Sequence, residues 1–365
     1  MAATPNPAST FKEAYAARLE IVTRGVEDFA QMVHDQAADE DVYTQAALNG
    51  FVSLMERGGK RTRGVLALTG YDLYGGTNAE VASVAAGVIE ACHAYLLVMD
   101  DVADNSALRR GGPTAHVQMA DFLAAHKAPG DPVKIGKDMA EMACLYAQHK
   151  AQSRLLGLDV PFAQRARAVD LLNDGLARTG IGQLRDISPL GHDDMNMDHV
   201  LGIATYKTAY YSYLLPLQVG ATLAGAPADE LVHFDSYSLN AGLAFQLHDD
   251  IMGTFGSETA TGKPQMSDII EGKKTALVAK TLEHANEQEK TVLLAALGNP
   301  ALKASEFAEC LDIMRRTGAL DEIRALVTHH VDLAMSSLDQ APSHWSPRHV
   351  QFLRDLAIYG AKREA

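Results

Sequence analysis

The sequence feature that most constrains the fold is a helical spacing of apolar residues along nearly the whole chain. Between Val81 and Met99, apolar side chains return every three or four residues, as on one face of an α-helix. The same spacing recurs in the ranges 11–34, 139–156, 163–178, 231–248, 268–284, 289–297, 304–317, 320–338 and 349–359. Alternating β-branched and aromatic runs bounded by tight turns are nearly absent. We therefore predict an all-α fold of about a dozen helices.

The organisation of the chain contains no obvious linker, because glycine and proline occur only in short connections between the helical segments. We predict a single domain over residues 11–365. Residues 1–10 are small and polar, with no charged region leading into an apolar one, so we predict a disordered arm and no secretion signal.

Charge and cysteine content exclude several classes of protein. Lysine and arginine number 32 against 46 aspartate and glutamate, a formal charge of −14, which disfavours a nucleic-acid partner. The three cysteines, Cys92, Cys144 and Cys310, lack the spacing of a zinc site or a disulfide framework. A reducing, cytoplasmic location is expected.

One uncharged stretch, residues 208–228, must be considered as a membrane span. It contains Pro216 and Gln218 and is rich in alanine and glycine, whereas a spanning helix is predominantly apolar over about 20 residues. We predict a buried helix of a soluble core and no membrane span.

An acidic cluster follows the helix predicted over 81–99. Asp100 and Asp104 are four residues apart, so a continuing helix places them on one face, with Asp101 about 100° around the axis. Negative charge is disfavoured near a helix C-terminus. A hard cation such as Mg²⁺, which prefers oxygen ligands, would stabilise the cluster.

A second acidic pair, Asp249 and Asp250, follows Phe245-Gln246 at the end of another apolar helix. A single pair could be an ordinary solvated helix end. Two such ends, however, could face one another across a cavity and hold Mg²⁺ ions together with a diphosphate.

The basic residues occur in groups suited to phosphate. A glycine-rich turn, Gly58-Gly59-Lys60-Arg61-Thr62-Arg63, precedes a helix predicted over 65–74, and backbone N–H groups at a helix start favour anions. Arg109-Arg110-Gly111 follows the first acidic cluster and supplies two guanidinium groups. Separate lysines occur at Lys207, Lys263 and Lys273.

His93 lies two helical turns before Asp100, on the same face of an otherwise apolar helix. Such a histidine could be a core residue. Its alignment with the acidic cluster favours a donor to a second phosphate. The sequence thus indicates a polyanionic substrate bound with metal ions.

These motifs, over about residues 54–275, resemble those of the trans-isoprenyl diphosphate synthases. They occur in that family's order: Gly58-Gly59-Lys60-Arg61-Thr62-Arg63, His93, Asp100-Asp101 with Asp104, Arg109-Arg110-Gly111, Gly182-Gln183 with Asp186, Lys207-Thr208, Phe245-Gln246 with Asp249-Asp250, Lys263 and Lys273. The resemblance implies a homodimer of subunits with the all-α isoprenoid synthase fold and a central cavity.

The resemblance also implies roles for individual residues. The Mg²⁺ ligands would be Asp100, Asp104 and Asp249, supported by Asp101 and Asp250. Isopentenyl diphosphate would contact Gly59, Lys60, Arg63, His93 and Arg110. The allylic diphosphate would contact Arg109, Lys207, Thr208, Gln246, Lys263 and Lys273.

The reaction implied is Mg²⁺-dependent head-to-tail condensation of isopentenyl diphosphate with an allylic diphosphate. Chain length in the family is set just before the first acidic motif, where Tyr95 and Leu96 lie in this sequence. Tyr95 would lie roughly 7–8 Å deeper along the helix than Asp100. A large aromatic side chain there is expected to close the bottom of the cavity that holds the growing chain. We therefore expect a C20 product, geranylgeranyl diphosphate.

Three departures from the family pattern occur. Gly253 stands where many members carry a third aspartate of the second acidic motif, and Gly64 stands where proline is common. Gly136-Lys137-Asp138 matches a family helix start only loosely.

Three alternatives remain. A farnesyl diphosphate synthase would make a C15 product. A class I terpene cyclase shares the fold but lacks the isopentenyl site, against which the Gly59, Lys60, Arg63 and His93 set argues. A non-catalytic regulatory partner of a prenyltransferase is disfavoured because both acidic motifs are intact.

Overall fold

The computed structural model describes residues 10–188, 196–256 and 266–361. Within these ranges most residues are helical, which confirms the all-α prediction. The α-helices are α1 (Phe11–Ala37), α2 (Val42–Glu56), α3 (Thr62–Leu73), α4 (Ala79–Ala103), α5 (Ala115–Ala125), α6 (Pro132–Leu156), α7 (Phe162–Ile187), α8 (Met197–Ala204), α9 (Leu215–Leu223), α10 (Asp235–Phe255), α11 (Ser267–Ile270), α12 (Ala276–His284), α13 (Glu287–Ala296), α14 (Ala304–Arg316), α15 (Ala319–Ser337) and α16 (Pro347–Ala361). The other elements are strands β1 (Leu108–Arg109) and β2 (Gly112–Pro113), a π-helical segment (Thr205–Leu214) and 3₁₀ turns (Ala228–Phe234 and Leu338–Gln340).

Polar side chains begin the helices where the sequence supplies a cap. Thr10 accepts a hydrogen bond from the Glu13 amide, and the Glu13 carboxylate accepts one from the Thr10 amide, so α1 starts with a capping box. The Asn78 side chain caps α4 by accepting hydrogen bonds from the Glu80 and Val81 amides. The disordered arm predicted over 1–10 lies outside the described residues, except for Thr10.

The largest difference from the predicted helices falls in the range 268–284, which was expected to be continuous. The helix stops at Ile270 and restarts at Ala276. Gly272 has φ +70°, a left-handed conformation that ends a helix, and the Thr275 hydroxyl caps the next one by accepting from the Val278 amide. The apolar spacing continues across this break, so periodicity alone did not reveal it.

Contacts divide the chain into two compact units, so the single domain over 11–365 stays a prediction. The first contains Met1–Leu172 and Leu215–Leu231. Its centre is α4, against which α1, α3 and α6 pack, while α9 packs against α3. This packing fixes the helix that carries His93 and the first acidic cluster.

The second unit contains Asn173–Leu214 and Val232–Ala365. In it, α10 packs against α15, α16 and the π-helical segment. The apolar core includes Leu247, Leu277 and Ile323. This packing fixes the helix that carries the second acidic pair.

Among the described residues, α4 alone is long and apolar enough to cross a membrane by length and composition. Of its most apolar window, 83% is buried inside the protein, as in a core helix. The uncharged stretch 208–228, predicted as one buried helix, forms part of the π-helical segment and then α9, which ends at Leu223. Its side chains are largely buried, including those of Tyr213 and Leu217.

Candidate active site

The first acidic cluster lies at the C-terminal end of α4, as the spacing predicted. The helix continues through Ala103, and Asp104 caps it in a helical conformation, with its amide donating to the Asp100 carbonyl. Asp100 and Asp104 are therefore one turn apart. Asp101 is fully buried.

Arg109, which follows the cluster in sequence, neutralises part of its negative charge. Its guanidinium donates two hydrogen bonds to Asp101 Oδ1, at 2.8 and 2.5 Å, and lies 3.4 Å from Asp100 Oδ2. A hairpin brings it back to the helix end: β1 pairs antiparallel with β2, with Arg109 opposite Gly112. Strands of two residues are too short to produce an alternating pattern, so they were not predicted.

The glycine-rich turn reaches α3 through unusual backbone conformations. Gly58, Gly59 and Arg61 all have positive φ, of 76°, 119° and 53°. The Tyr15 hydroxyl of α1 donates to the Lys60 carbonyl at 2.5 Å and lies 3.2 Å from Thr62 Oγ1. The turn is therefore held in place by a different helix from the one it opens.

Arg61 points inward, unlike the other two cations of the turn. It is buried, and its guanidinium lies 3.3 Å from Glu90 Oε2 and donates to the Met55 carbonyl. Glu90 Oε1 also accepts a hydrogen bond from the Gly64 amide at 2.8 Å. Proline, which the family resemblance would favour at position 64, has no N–H to donate.

Glu90 is a site residue that the sequence interpretation missed. The sequence did contain a signal for it. Glu90 lies inside an apolar helix, three residues before His93, and a carboxylate is seldom buried there unless it is paired. It is only 1% exposed and joins α4 to the start of α3.

His93 lies beside Arg63, with Nε2 3.2 Å from the guanidinium Nη1. Burial, followed by the positive charges of Arg63 and Arg110, holds the pKa of His93 well below its ordinary value. The imidazole is therefore neutral at neutral pH. Because a guanidinium can only donate, we assign the acceptor role to Nε2 and the ring proton to Nδ1.

Arg110 completes the cationic group in the first unit. It donates to the Leu54 carbonyl at 3.3 Å, and a Cβ added at Gly59 would lie 3.2 Å from its Nη2. Burial and the neighbouring arginines, Arg61 first, lower the pKa of Arg110 to about 10, so it stays charged at neutral pH. Gly59 thus lies beside Arg110, and Arg63 beside His93, whose pKa the charge of Arg110 also lowers.

In the second unit, the Gly-Gln-x-x-Asp motif positions Lys207. A Cβ on Gly182 would lie 2.4 Å from the Lys207 amide nitrogen, so only glycine lets α7 approach the π-helical segment so closely. One turn later, Asp186 accepts from Lys207 Nζ at 2.6 Å. The π-helical geometry itself was not predicted, and such segments are frequent at functional sites.

A chain of hydrogen bonds leads from the π-helical segment to the second acidic pair. The Thr208 hydroxyl lies 2.7 Å from Gln246 Oε1, and the Gln246 amide donates to Asp250 Oδ1 at 2.7 Å. Burial, followed by repulsion from Asp268 and Asp249, raises the pKa of Asp250 to about 7. Asp250 is therefore partly protonated at neutral pH.

Asp268 lies where a side chain at position 253 would lie. A Cβ on Gly253 would be 2.0 Å from Asp268 Oδ2. Lys273 Nζ contacts Asp268 Oδ1 at 3.3 Å and Glu271 Oε2 at 2.9 Å. The sequence interpretation missed both acids, because Asp268 lies on α11, a helix of four residues that packs against α10 and is too short to be predicted from periodicity.

The predicted residues are thus grouped within their own units. Lys263 lies outside the described residues. In the described part of the chain, no group of three or more His, Cys, Asp or Glu side chains is arranged to hold a metal ion by itself. Asp100 and Asp104 nevertheless offer only carboxylate oxygens, the donors that Mg²⁺ prefers.

Comparison with known proteins identifies the family. The polyprenyl synthetase family model matches residues 45–314. The geranylgeranyl diphosphate synthase of Saccharolobus solfataricus is 34% identical over 293 residues, which cover 79% of this chain and 82% of the relative. A short chain isoprenyl diphosphate synthase of Methanothermobacter thermautotrophicus is 31% identical over 82% of this chain and 86% of its own.

A solved structure gives the same result. The geranylgeranyl pyrophosphate synthase of Corynebacterium glutamicum, complexed with isoprenyl diphosphate and magnesium, superposes with a TM-score of 0.88 at 29% identity, covering 94% of this chain and 98% of that one. The chain belongs to the polyprenyl synthetase family and has the isoprenoid synthase fold. It is a short-chain prenyltransferase, which confirms the resemblance seen in the motifs.

Proposed function

We propose that this enzyme condenses isopentenyl diphosphate with allylic diphosphates and releases geranylgeranyl diphosphate. The observation that carries the proposal is that one compact unit holds both an anion site and an acidic cluster. Arg63, neutral His93 and Arg110 form the first. Asp100 and Asp101, bridged by Arg109, form the second. A terpene cyclase needs only the second of these.

We assign the binding of isopentenyl diphosphate to the group formed by Arg63, His93 and Arg110. Arg63 and Arg110 offer guanidinium forks, which match phosphate oxygens, and the His93 Nδ1 proton adds a neutral donor. Lys60 is exposed beside them, and the Gly59 backbone has no side chain to block approach. The substrate is thus held by its diphosphate, leaving its double bond to react.

Mg²⁺ is assigned to Asp100, Asp104 and Asp249, with Asp101 and Asp250 supporting. Three features favour a cation: the all-oxygen donor set, the single-turn spacing of Asp100 and Asp104, and the raised pKa of Asp250. Bound Mg²⁺ would supply positive charge to offset that of a departing diphosphate. The allylic diphosphate is assigned to Arg109, Lys207, Thr208, Gln246, Lys263 and Lys273.

The reaction follows from these assignments. Cationic side chains stabilise the charge that develops on the allylic diphosphate as its C–O bond breaks. The double bond of isopentenyl diphosphate, held nearby, adds to the allylic cation. The new cation loses a proton to the released diphosphate, so no protein base is required. Apolar walls exclude water, which would otherwise trap the cation.

Replacing Tyr95 by alanine is expected to lengthen the product beyond C20. Tyr95 lies on α4 before the acidic cluster and is 4% exposed, with Leu96 half-buried beside it. Truncation removes the bulk proposed to stop the growing chain. Mass spectrometry of the products checks this, and Tyr95→Leu gives a less disruptive second variant. An unchanged product profile in both variants would show that Tyr95 does not limit the length of the product.

Replacing Gly253 by alanine is expected to raise the allylic KM on the order of tenfold, because the new methyl group displaces Asp268 from Lys273. In an exposed helix, Gly→Ala normally stabilises by about 0.5–1 kcal/mol. Gly180→Ala is the matched control, since a Cβ there meets nothing within 4 Å. Steady-state kinetics test this, and equal allylic KM values in both variants would contradict it.

A homodimer and a cytoplasmic location also belong to the proposal. Met142 and Leu145 on α6 are 59% and 50% exposed, and both lie on one face of that helix. A second copy of the chain covering this face would remove them from water. All three cysteines are free thiols and buried, as suits a reducing compartment.

The decisive experiment is product analysis after incubation of isopentenyl diphosphate with C5, C10 and C15 primers. A C20 product supports the proposal, and a final C15 product would instead identify a farnesyl diphosphate synthase. A hydrocarbon formed without isopentenyl diphosphate would indicate a cyclase. No diphosphate release by the chain alone would indicate a regulatory partner.

A further inference from the structure

Arg57, the residue before the glycine-rich turn, holds the hairpin that carries Arg109 and Arg110. It ends α2 as the C-cap residue. Its Nη1 donates to the carbonyls of Arg109, at 3.1 Å, and Pro113, at 2.8 Å. Its Nη2 donates to Ser53 Oγ at 3.0 Å, which fixes the guanidinium against α2.

The fit between Arg57 and the hairpin is close. A Cβ added at Gly112 would lie 2.7 Å from Arg57 Nη1 and 2.8 Å from Cζ. The guanidinium therefore lies directly on the Gly112 backbone, and a larger residue at that position would push it away. Gly112 does not have a positive φ, so alanine there meets only this steric conflict.

The turn of the hairpin has a backbone conformation that is unfavourable unless neighbouring groups stabilise it. Arg110 has φ +50° and Gly111 has φ +72°. A non-glycine residue in the left-handed region persists only where the surroundings hold it there. The two carbonyl contacts of Arg57, at Arg109 and Pro113, lie on either side of this turn.

The hairpin determines where both arginines lie. Arg109 reaches Asp101 and Asp100, and Arg110 reaches the Leu54 carbonyl and the space beside Gly59. Arg57 thus connects the glycine-rich turn, which it precedes in sequence, to the hairpin that faces it. Arg57 itself was not among the cations that the motifs singled out.

We propose that Arg57 is a positioning residue that sets the affinity for isopentenyl diphosphate by fixing Arg110, and with it Arg109, in place. This inference rests on the proposed function for the assignment of Arg110 to that substrate. Loss of the Arg57 hydrogen bonds to the hairpin leaves both arginines in the chain but displaces them. Because small misplacements of binding groups are costly, isopentenyl diphosphate should bind about ten- to a hundredfold more weakly.

The test compares Arg57→Ala, Arg57→Lys, Gly112→Ala and the double variant Arg57→Ala/Gly112→Ala in the full-length enzyme with Mg²⁺. Calorimetric titration with isopentenyl diphosphate gives Kd, and steady-state kinetics give kcat and both KM values. Hydrogen exchange of the peptide spanning residues 106–114 reports the hairpin without any substrate.

Arg165→Ala is the matched control. Arg165 also donates from one guanidinium nitrogen to two backbone carbonyls, those of Leu156 at 2.9 Å and Leu158 at 3.1 Å, but it tethers the connection from α6 to α7. Its loss should leave the isopentenyl Kd and the exchange of the hairpin unchanged.

Arg57→Ala and Gly112→Ala should each raise the isopentenyl Kd and KM and speed exchange in the hairpin. The allylic KM should rise as well, because Arg109 is displaced together with Arg110, whereas kcat should change less. Arg57→Lys should recover part of the affinity. The double variant should be no worse than Arg57→Ala, because the clash needs both partners.

Normal isopentenyl binding by Arg57→Ala, or additive effects in the double variant, would overturn the proposal. If the wild-type enzyme itself does not bind isopentenyl diphosphate, the proposed function fails instead. Hydrogen exchange still decides whether Arg57 positions the hairpin, since unchanged exchange in Arg57→Ala would refute it.

Discussion

Replacing Asp100 by alanine is expected to lower kcat on the order of 10²–10³-fold while the fold is retained. The change removes a carboxylate assigned to Mg²⁺, and electrostatic groups of this kind each contribute about 10²–10³ in rate. Stability should change little, because removing Asp100 relieves its repulsion of Asp101 and Asp104, and Arg109 keeps its shorter hydrogen bonds to Asp101. The measurements are diphosphate release and the midpoint of urea unfolding.

Asp121→Ala is the control for this loss. Asp121 is an exposed aspartate on α5 in the same compact unit, so its removal should affect neither turnover nor stability. A variant at Asp100 that keeps a tenth of wild-type turnover would exclude this carboxylate as an essential ligand.

Replacing Glu90 by glutamine is expected to destabilise the protein by about 3–5 kcal/mol, the usual cost of breaking a buried ion pair. The amide oxygen can still accept from the Gly64 amide, so the lost charge is the main change. Arg61 would then be buried without an anion, since its guanidinium otherwise donates to the uncharged Met55 carbonyl. Urea unfolding, with the slope m compared between variants, measures the loss.

Two further variants sharpen this experiment. Glu80→Gln removes an exposed glutamate from the first turn of the same helix and should cost only a few tenths of a kcal/mol. Adding Arg61→Met to Glu90→Gln removes the isolated charge and should recover part of the stability. A loss below about 1 kcal/mol in Glu90→Gln alone would show that the pair is not structurally important.

Much of the fold could be predicted from the sequence because the helices depend on a local signal. The apolar period located α4 to within a few residues, and the predicted continuation of the helix placed Asp100 and Asp104 one turn apart. The break after Ile270 could not be predicted in this way, because the apolar spacing resumes in phase beyond it.

The candidate site could be predicted as a set of residues but not as a set of contacts. Three cations in one turn look alike in sequence, yet Arg61 is buried against Glu90 while Arg63 lies beside His93. Whether a charge is buried depends on helices that are distant in sequence. For the same reason, the approach of Asp268 to Gly253 was not foreseen.

The contact of Tyr15 with the Lys60 carbonyl has a consequence for protein engineering. The Tyr15 hydroxyl of α1 donates to the glycine-rich turn that is proposed to bind substrate. The helix α1 therefore supports the proposed substrate site in addition to packing against the core. Fusions or trimming near Phe11 are therefore expected to alter substrate affinity as well as stability. Catalytic comparisons between preparations require identical leading segments.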